Sequence, residues 1–460
     1  MSMKITADYV KAFKPADIRG VYPREIDEEL VYFIARSFVD EYQHKEILVA
    51  RDMRLSSDAL QAAFVKGVLD AGANVIDLGL VHTPVLYFAS GTMELPGVVI
   101  TASHSPRDYN GLKLVLSEAV PLTENGGLKE IRRRLEKGQF KEPTRRGKVI
   151  KKDILKVYQR FVLKGLKSKG LDKLKIVADS GNGMAGILLP LLEEKTPLKF
   201  TKLFEKLDGR FPNRGSDPTL RQNQRHLAKA VKSGSYDFGI AFDGDADRIA
   251  FVDEKGRFIN SAAIGALISA YLLKKEPKAK IIYTILTSRI YEETIKALGG
   301  RAVQARVGHA FIKEKMRKDD VLFGCEQSGH YYFKDYFYTD SVVMTLRMVL
   351  EIYLEAQSRN LAFSDMVKPY TVYEQTEDAV VEVKDKKQSM KLLEAYLLKQ
   401  NPLRIKKFDG LFVDFGEVWG VVTPSVTEPA LKILFEAKNK TLAQSKLRAV
   451  VDFAKSIALK

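Results

Sequence analysis

Val98-Val-Ile-Thr-Ala-Ser-His-Ser-Pro-Arg-Asp-Tyr-Asn-Gly-Leu-Lys113 runs from an apolar strand into a cluster of turn formers, and its reading sets the fold. The run 98–100 has the length and apolarity of a buried strand. His104, Ser105, Pro106, Asp108, Asn110 and Gly111 then make 101–113 a loop by composition. Ser103 is expected at the carboxyl end of that strand, where open α/β sheets bind their ligands. Beside it stand a candidate base, His104, and a candidate cation, Lys113. The alternative is an ordinary solvated polar loop, so the neighbouring sequence has to decide.

Working outward, strands and helices alternate. Strand 46–50, helix 56–71, strand 74–78 and helix 83–91 precede the serine loop, and a helical pattern covers 28–42, which predicts a doubly wound α/β domain. Upstream, Phe13-Lys-Pro-Ala-Asp-Ile-Arg-Gly20 exposes Arg19, a residue suited either to forking a phosphate or to pairing with Asp17. The charged stretch 141–152 reads as a linker, followed by a helix to about 167. The alternation then restarts at Leu174-Lys-Ile-Val-Ala-Asp-Ser-Gly-Asn-Gly-Met-Ala-Gly186, and again beyond residue 250. Three units of similar element order suggest an internal repeat. After about residue 369 the texture changes to an alternating strand over 372–383, a helix over 388–399, strands around 410–422 and a last helix over 441–459, a smaller α+β domain.

The sharpest chemical signal is Asp243-Gly-Asp-Ala-Asp-Arg248, directly after a strand over 238–242. Carboxylates at i, i+2 and i+4 of an extended stretch project to one side, and Gly244 and Ala246 allow the backbone to curl them around one cation. Three hard oxygens that leave room for a phosphate oxygen suit Mg2+. An EF-hand is excluded despite Glu254 at the twelfth position, because Arg248 takes the place of the sixth-position glycine and the flanks read as strands. Gly324-Cys-Glu-Gln-Ser-Gly-His330 also follows an apolar strand. Glu326 and Ser328 there offer an acceptor and a donor suited to sugar hydroxyls, while His309 and His330 are candidates for proton transfer, since histidine as a residue type titrates near neutrality.

Composition narrows the classes. The 460 residues carry 74 Lys and Arg against 58 Asp and Glu, a net charge of +16 that attracts anions. The lysines are scattered over helix faces with no module signature, so nucleic-acid binding is not expected. A single cysteine, Cys325, precludes an internal disulfide and fits a reducing compartment. The apolar run 262–273 is too short for a membrane helix, and no signal-peptide core opens the chain, so the expected setting is cytoplasmic without membrane association.

Taken together and in order, DIRG, TASHSPRDYNGLK, VADSGNG, DGDADR, GCEQSGH and PSVTEP resemble the α-D-phosphohexomutase superfamily, in particular its phosphomannomutase/phosphoglucomutase branch. The resemblance implies three similar doubly wound α/β domains and a smaller C-terminal α+β domain around a central cleft: 1–145 with the serine loop, 146–253 with the metal site, 254–366 with the sugar loop, and 367–460 with a phosphate-binding loop. It implies interconversion of hexose 1-phosphate and hexose 6-phosphate of mannose or glucose, with Mg2+ as cofactor and a hexose 1,6-bisphosphate as intermediate and activator. Ser103 corresponds to the phosphoserine, with Asp243, Asp245 and Asp247 as metal ligands beside it. Arg19, His104, Lys113 and Arg248 would surround the phosphoryl group, and His309 and His330 would orient substrate or move protons. Glu326 and Ser328 would grip sugar hydroxyls, while Ser425 and Thr427 would hold the non-reacting phosphate. A phosphorylated hexose is the expected partner, in a monomer or dimer.

The chain also departs from the family pattern. Ser105 stands where Asn is usual, Ala16 where an aromatic precedes DIRG, and Arg214 where His is common. Leu286 replaces a Lys that the branch can carry, leaving Ser288 and Arg289 for recognition. Thr423 and Val426 replace an Arg and a Gly or Asn in the last loop, with Lys432 as the nearest compensating cation in sequence. Phosphoglucosamine mutase, and a phosphosugar-binding homologue with weakened turnover, are the alternatives these departures leave open.

Overall fold

The computed structural model describes residues 6–143, 145–425 and 429–458. They form two compact units, one containing residues up to 261 with 309–323 and 328–366, the other containing 262–308, 324–327 and 367 onward.

In the first unit, the opening sheet runs Ile18–Val21, Tyr109–Leu116, Gly97–Ile100, Glu46–Arg51, Asn74–Leu80, Val149–Lys151. The last four are mutually parallel, as alternation with helices Ser57–Asp70 and Thr83–Met93 requires. Helix Glu28–Tyr42 starts where Asp27 caps it by accepting from Leu30 N at 2.9 Å. It buries Leu30, Ile34 and Phe38 against Leu60, Phe64 and the sheet residues Ile47 and Val75.

Two expectations are corrected here. The 141–152 stretch is not a plain linker, because Val149–Lys151 adds a parallel strand beside Asn74–Leu80, with an alternation too short and too charged to read in sequence. Likewise the loop expected over 101–113 ends at residue 108: Tyr109–Leu116 is a strand antiparallel to Gly97–Ile100, and Lys113 sits on it opposite Val99.

A second sheet has the order Phe258–Ile259, Ile249–Asp253, Phe238–Phe242, Ile176–Asp179, Phe200–Leu203. Phe238–Phe242 is parallel to Ile176–Asp179 and antiparallel to Ile249–Asp253. The acidic loop is therefore a connection of the same kind as the serine loop, from the carboxyl end of a parallel strand back along an antiparallel neighbour. This shared placement is the repeat that residue identities do not display. The first unit also holds helix His309–Asp319, the hairpin Tyr331–Phe333 with Thr339–Asp340, and helix Val342–Gln357. The helix expected to reach 167 is shorter, Leu155–Val162.

In the second unit, Lys280–Thr284 and Arg301–Ala305 pair in parallel, with helix Arg289–Ala297 between them in sequence. An antiparallel sheet follows, ordered Glu374–Gln375, Ala430–Ala437, Val418–Pro424, Leu411–Asp414, Arg404–Lys407. Helices Lys386–Leu398 and Lys440–Ala458 cover one of its faces through Leu393, Leu397, Val450 and Ala454 on Val413, Val422, Ile433 and Phe435. The single strand expected over 372–383 is instead two short ones, Glu374–Gln375 and Ala379–Glu382, both pairing with Ala430–Ala437. Among the described residues no helix is long and apolar enough to cross a membrane.

Candidate functional site

Ser103 is 2% exposed, and its backbone adopts a left-handed φ of 50°. A residue with a Cβ holds that conformation at a cost of about 1–3 kcal/mol, so the surroundings must impose it. They do so from both sides. Thr101 Oγ1 accepts from Ser103 N at 2.9 Å, and the buried Arg54 guanidinium donates to the carbonyl oxygens of Ser103 (2.8 Å), Ser105 (2.7 Å), Pro106 (2.7 Å) and Tyr109 (2.9 Å). Arg54 in turn pairs with buried Asp52 at 3.4 Å and lies over the Phe211 ring. Ser216 Oγ adds donations to the carbonyls of His104 (2.6 Å) and Ser105 (3.0 Å). Held this way, Ser103 Oγ donates to Asp243 Oδ2 at 2.6 Å, with His104 Nδ1 3.4 Å from the same hydroxyl.

The acidic hairpin is curled by its own side chain, since Asp243 Oδ1 accepts from the amides of Asp247 (3.0 Å) and Arg248 (3.1 Å). Gly244 is required where this hairpin meets the serine loop: a Cβ there would lie 2.6 Å from the Ser103 carbonyl oxygen. Asp243, Asp245 and Asp247 each present an oxygen within 4.8 Å of the others, all buried. Thr83 Oγ1 and Lys113 Nζ donate to Asp245 Oδ2 at 2.6 and 2.8 Å, and Lys113 also bonds Asp247. His330 Nε2 lies 3.2 Å from Asp247 Oδ1, and its Nδ1 is 2.9 Å from Ser328 Oγ. Asp247 Oδ1 makes no hydrogen bond beyond that contact, and Asp245 Oδ1 is likewise buried without a hydrogen-bond partner among the described residues.

Three converging carboxylates, two of which keep an oxygen without a hydrogen bond among the described residues, fit a divalent cation such as Mg2+. The electrostatics fit as well. Burial, then repulsion from Asp247 and Asp245, pushes the Asp243 carboxyl well above the ordinary range. Burial also pushes Asp247 up, but Lys113, His330 and Arg248 outweigh it and hold that carboxyl well below. Burial opposes the charge on Lys113 too, yet Asp245 and Asp247 raise its ammonium well above the usual lysine value. Burial, reinforced by Arg248 and Arg19, keeps His104 neutral.

The glycine-rich turn after Asp179 buttresses the acidic hairpin. Met184 N donates to Gly244 O at 2.9 Å, and Arg214 clamps both Asp179 carboxylate oxygens (2.9 and 3.0 Å) and the Phe242 carbonyl (2.7 Å). Arg214 thus fixes the ends of two neighbouring strands from which the turn and the hairpin start.

The structure thus gathers Ser103, His104, Lys113, Asp243, Asp245, Asp247, Arg248 and His330, with Arg248 Nη2 3.5 Å from His104 Nε2. His309 joins them, its ring centroid 6.2 Å from that of His330 and neither ring nitrogen bonded among the described residues. Arg19 pairs with Asp17 and also donates to Ser105 Oγ at 3.1 Å. In the second unit, Glu326 Oε1 accepts from Gly308 N at 3.1 Å. Arg289 is engaged by Glu293 and Asp414 and lies over Trp419. Ser425 is buried at the end of Val418–Pro424, and Lys432 is exposed on the neighbouring strand opposite Thr423. Thr427 lies outside the described residues. Arg54, Ser216 and Thr83 were not anticipated. Arg54 alone left a trace in sequence, a cation three residues beyond the carboxyl end of the parallel strand Glu46–Arg51.

Comparison with known proteins agrees with this geometry. Models of phosphoglucomutase/phosphomannomutase α/β/α domains I, II and III match residues 10–142, 156–256 and 260–371. A phosphomannomutase of Vibrio cholerae is 35% identical over 459 residues, covering 97% of this chain and 98% of its own. Proteins named phosphohexose mutases from Xanthomonas campestris are 35% identical over 432 residues, 93% of this chain and 95% of theirs. The crystal structure of a phosphoglucomutase/phosphomannomutase family protein from Burkholderia thailandensis superposes with a TM-score of 0.88 at 29% identity, covering 99% of both chains. With three α/β domains and a β-rich C-terminal domain, the chain belongs to the phosphoglucomutase/phosphomannomutase family of phosphohexomutases.

Proposed function

We propose that this mutase interconverts the 1- and 6-phosphates of mannose or glucose by way of a phosphorylated Ser103. The observation that carries the proposal is the 2.6 Å contact between Ser103 Oγ and Asp243 Oδ2, which sets a nucleophilic oxygen at the edge of the carboxylate triad. Asp243, Asp245 and Asp247 would hold Mg2+, which supplies positive charge against the roughly −1.5 to −2 charges of a seryl phosphate.

The chain's own groups do the rest. A hydroxyl of the hexose phosphate attacks the seryl phosphorus. The P–O bond to Ser103 breaks as the new one forms, and the hydroxyl proton passes to a neutral imidazole. His309 suits that task, since burial, then Lys313, keeps it neutral and its ring nitrogens have no partner among the described residues. Lys113 and Arg248 stabilise charge on the transferring oxygens. The hexose 1,6-bisphosphate then returns its other phosphate to Ser103, the proton retracing its path. Glu326 and Ser328 are assigned to the sugar hydroxyls, and the loop of Ser425 and Thr427 to the non-reacting phosphate.

Intact-mass analysis after incubation with a hexose 1,6-bisphosphate tests the covalent step. One phosphoryl group is expected on the wild-type chain and none on Ser103→Ala; a phosphorylated Ser103→Ala would refute the assignment. Turnover on the 1-phosphates of mannose, glucose and glucosamine ranks the sugars, and a clear preference for glucosamine would overturn the mannose or glucose reading.

A further inference from the structure

Lys313 is 1% exposed in helix His309–Asp319, and its Nζ lies 2.6 Å from Oδ2 of the wholly buried Asp340. The same ammonium sits 3.8 Å from the centre of the Tyr87 ring. Neither Lys313 Nζ nor the Asp340 oxygens make a directed hydrogen bond among the described residues, so charge and the ring face hold the pair. Stability does not explain such a pair. Two charges taken out of water repay their desolvation only where further hydrogen bonds satisfy them, and apolar side chains of similar shape commonly do as well or better. Burial pulls the Lys313 ammonium below the ordinary lysine value while Asp340 opposes that pull, so the charge is kept at a cost. What an ion pair adds over an apolar contact is a fixed register between the elements that carry it.

The elements that meet at Lys313 all lead into the site. One turn before it, on the same helix face, is His309. Asp340 pairs across its hairpin with Tyr332, two residues beyond His330. Tyr87 belongs to helix Thr83–Met93, whose first residue donates to Asp245 Oδ2 at 2.6 Å. Lys313 thus links the helix of one histidine to the hairpin of the other and to the helix that braces the acidic triad. One turn further along, Arg317 donates to the carbonyl oxygens of Glu118 and Phe337 and fastens the far end of the helix. No hydrogen bond among the described residues orients the His309 ring, so its place is set by the helix that carries it.

We propose that Lys313, paired with Asp340, is a positioning residue that holds the His309 imidazole at its working distance from His330 and the acidic triad; this rests on the assignment of His309 as proton acceptor in the proposed function. The pair touches no reacting atom and acts through the helix.

The test compares three forms of the full chain with wild type, using whichever of mannose 1-phosphate and glucose 1-phosphate it turns over faster. They are Lys313→Met with Asp340→Leu, which removes both charges and nearly keeps the shapes, His309→Gln, and all three substitutions together. The pair variant is expected to unfold at a denaturant midpoint close to wild type and to keep KM within about twofold. Its kcat should fall about tenfold to a hundredfold, the loss that a small displacement of a proton-moving group brings. His309→Gln should lose about a hundredfold or more, and adding the pair substitutions to it should lower kcat no further, because both act through one group. Wild-type kcat in the pair variant, or losses that multiply in the triple variant, would overturn the proposal. Failure of the pair variant to fold would also overturn it, by making the pair a support of the fold alone. Wild-type kcat in His309→Gln is a separate failure: it removes the proton-acceptor assignment itself, and the positioning role falls with it.

Discussion

Arg54 Nη2 donates to the Ser103 carbonyl oxygen at 2.8 Å, and the same guanidinium holds three further carbonyls of the loop that presents the hydroxyl. No other side chain has a planar array of donors able to do this. Arg54→Lys is therefore expected to leave the fold in place and to lower kcat about tenfold to a hundredfold, because a shift of order 1 Å in a reacting group costs about that much. Arg54→Met removes the partner of buried Asp52 and should cost about 3–5 kcal/mol in denaturant unfolding. A Lys variant with wild-type kcat would show that loop posture does not limit the reaction.

Asp245 has one oxygen bonded to Thr83 and Lys113 and one with no partner among the described residues, so it is the carboxylate with most to give a cation. Asp245→Asn should lower divalent-ion affinity and reduce turnover about a hundredfold to a thousandfold. Chelation of the wild type should abolish activity, and added Mg2+ should restore it. Full turnover in excess chelator would remove the cation from the mechanism.

The legibility of this site in sequence follows from where its information is stored. Asp243, Asp245 and Asp247 were readable because the ligand set is local: a period of two on one extended stretch carries the whole pattern. Ser103 was readable because turn formers crowd the end of an apolar strand. Arg54 was missed because its function depends on contacts 49 to 55 residues away, which no periodicity encodes. The strand Val149–Lys151 was missed for a related reason. All three of its residues are exposed, so the burial contrast that writes a strand into sequence is absent, and pairing with Asn74–Leu80 alone defines it. Tyr109–Leu116 was partly hidden because its first residues, Asn110 and Gly111, are turn formers. Gly111 is there because a Cβ would meet the Ile18 carbonyl oxygen at 2.3 Å, and Asn110 because its amide bonds the hydroxyls of Ser56 and Ser57.

Arg214 was noted only as a departure from the usual histidine, yet its Nε is shared between both carboxylate oxygens of Asp179, with both side chains almost fully buried. Removing one partner of a buried pair leaves the other charge unsolvated. Arg214→Met is expected to destabilise the chain by about 3–5 kcal/mol, whereas Arg214→Met combined with Asp179→Leu should recover part of that loss. A double-mutant cycle in urea measures the coupling. Additive effects would mean that the pair is not what joins the two strand ends.

Acid sensitivity follows from His82, which is 0% exposed, packs edge-on against Tyr158 and bonds nothing through either ring nitrogen among the described residues. Burial, opposed by Asp245 and Asp247, pulls its pKa down from 6.5 to about 3. A histidine whose folded value is depressed favours folding in its neutral form. Its contribution is full above the unfolded value of 6.5, and below that pH the unfolded chain binds the proton that the folded chain refuses. Stability should thus fall as pH drops from 6.5 toward 3, by on the order of 1.4 kcal/mol per pH unit for this one group. His44, half-buried and lowered to about 4 by burial, should add a loss of the same sign over the narrower window from 6.5 to about 4. Denaturant midpoints between pH 7 and pH 4.5 read the effect. His82→Asn, which cannot take up a proton, should flatten the profile, even though its stability at pH 7 is lower. An unchanged slope in that variant would place the acid sensitivity elsewhere.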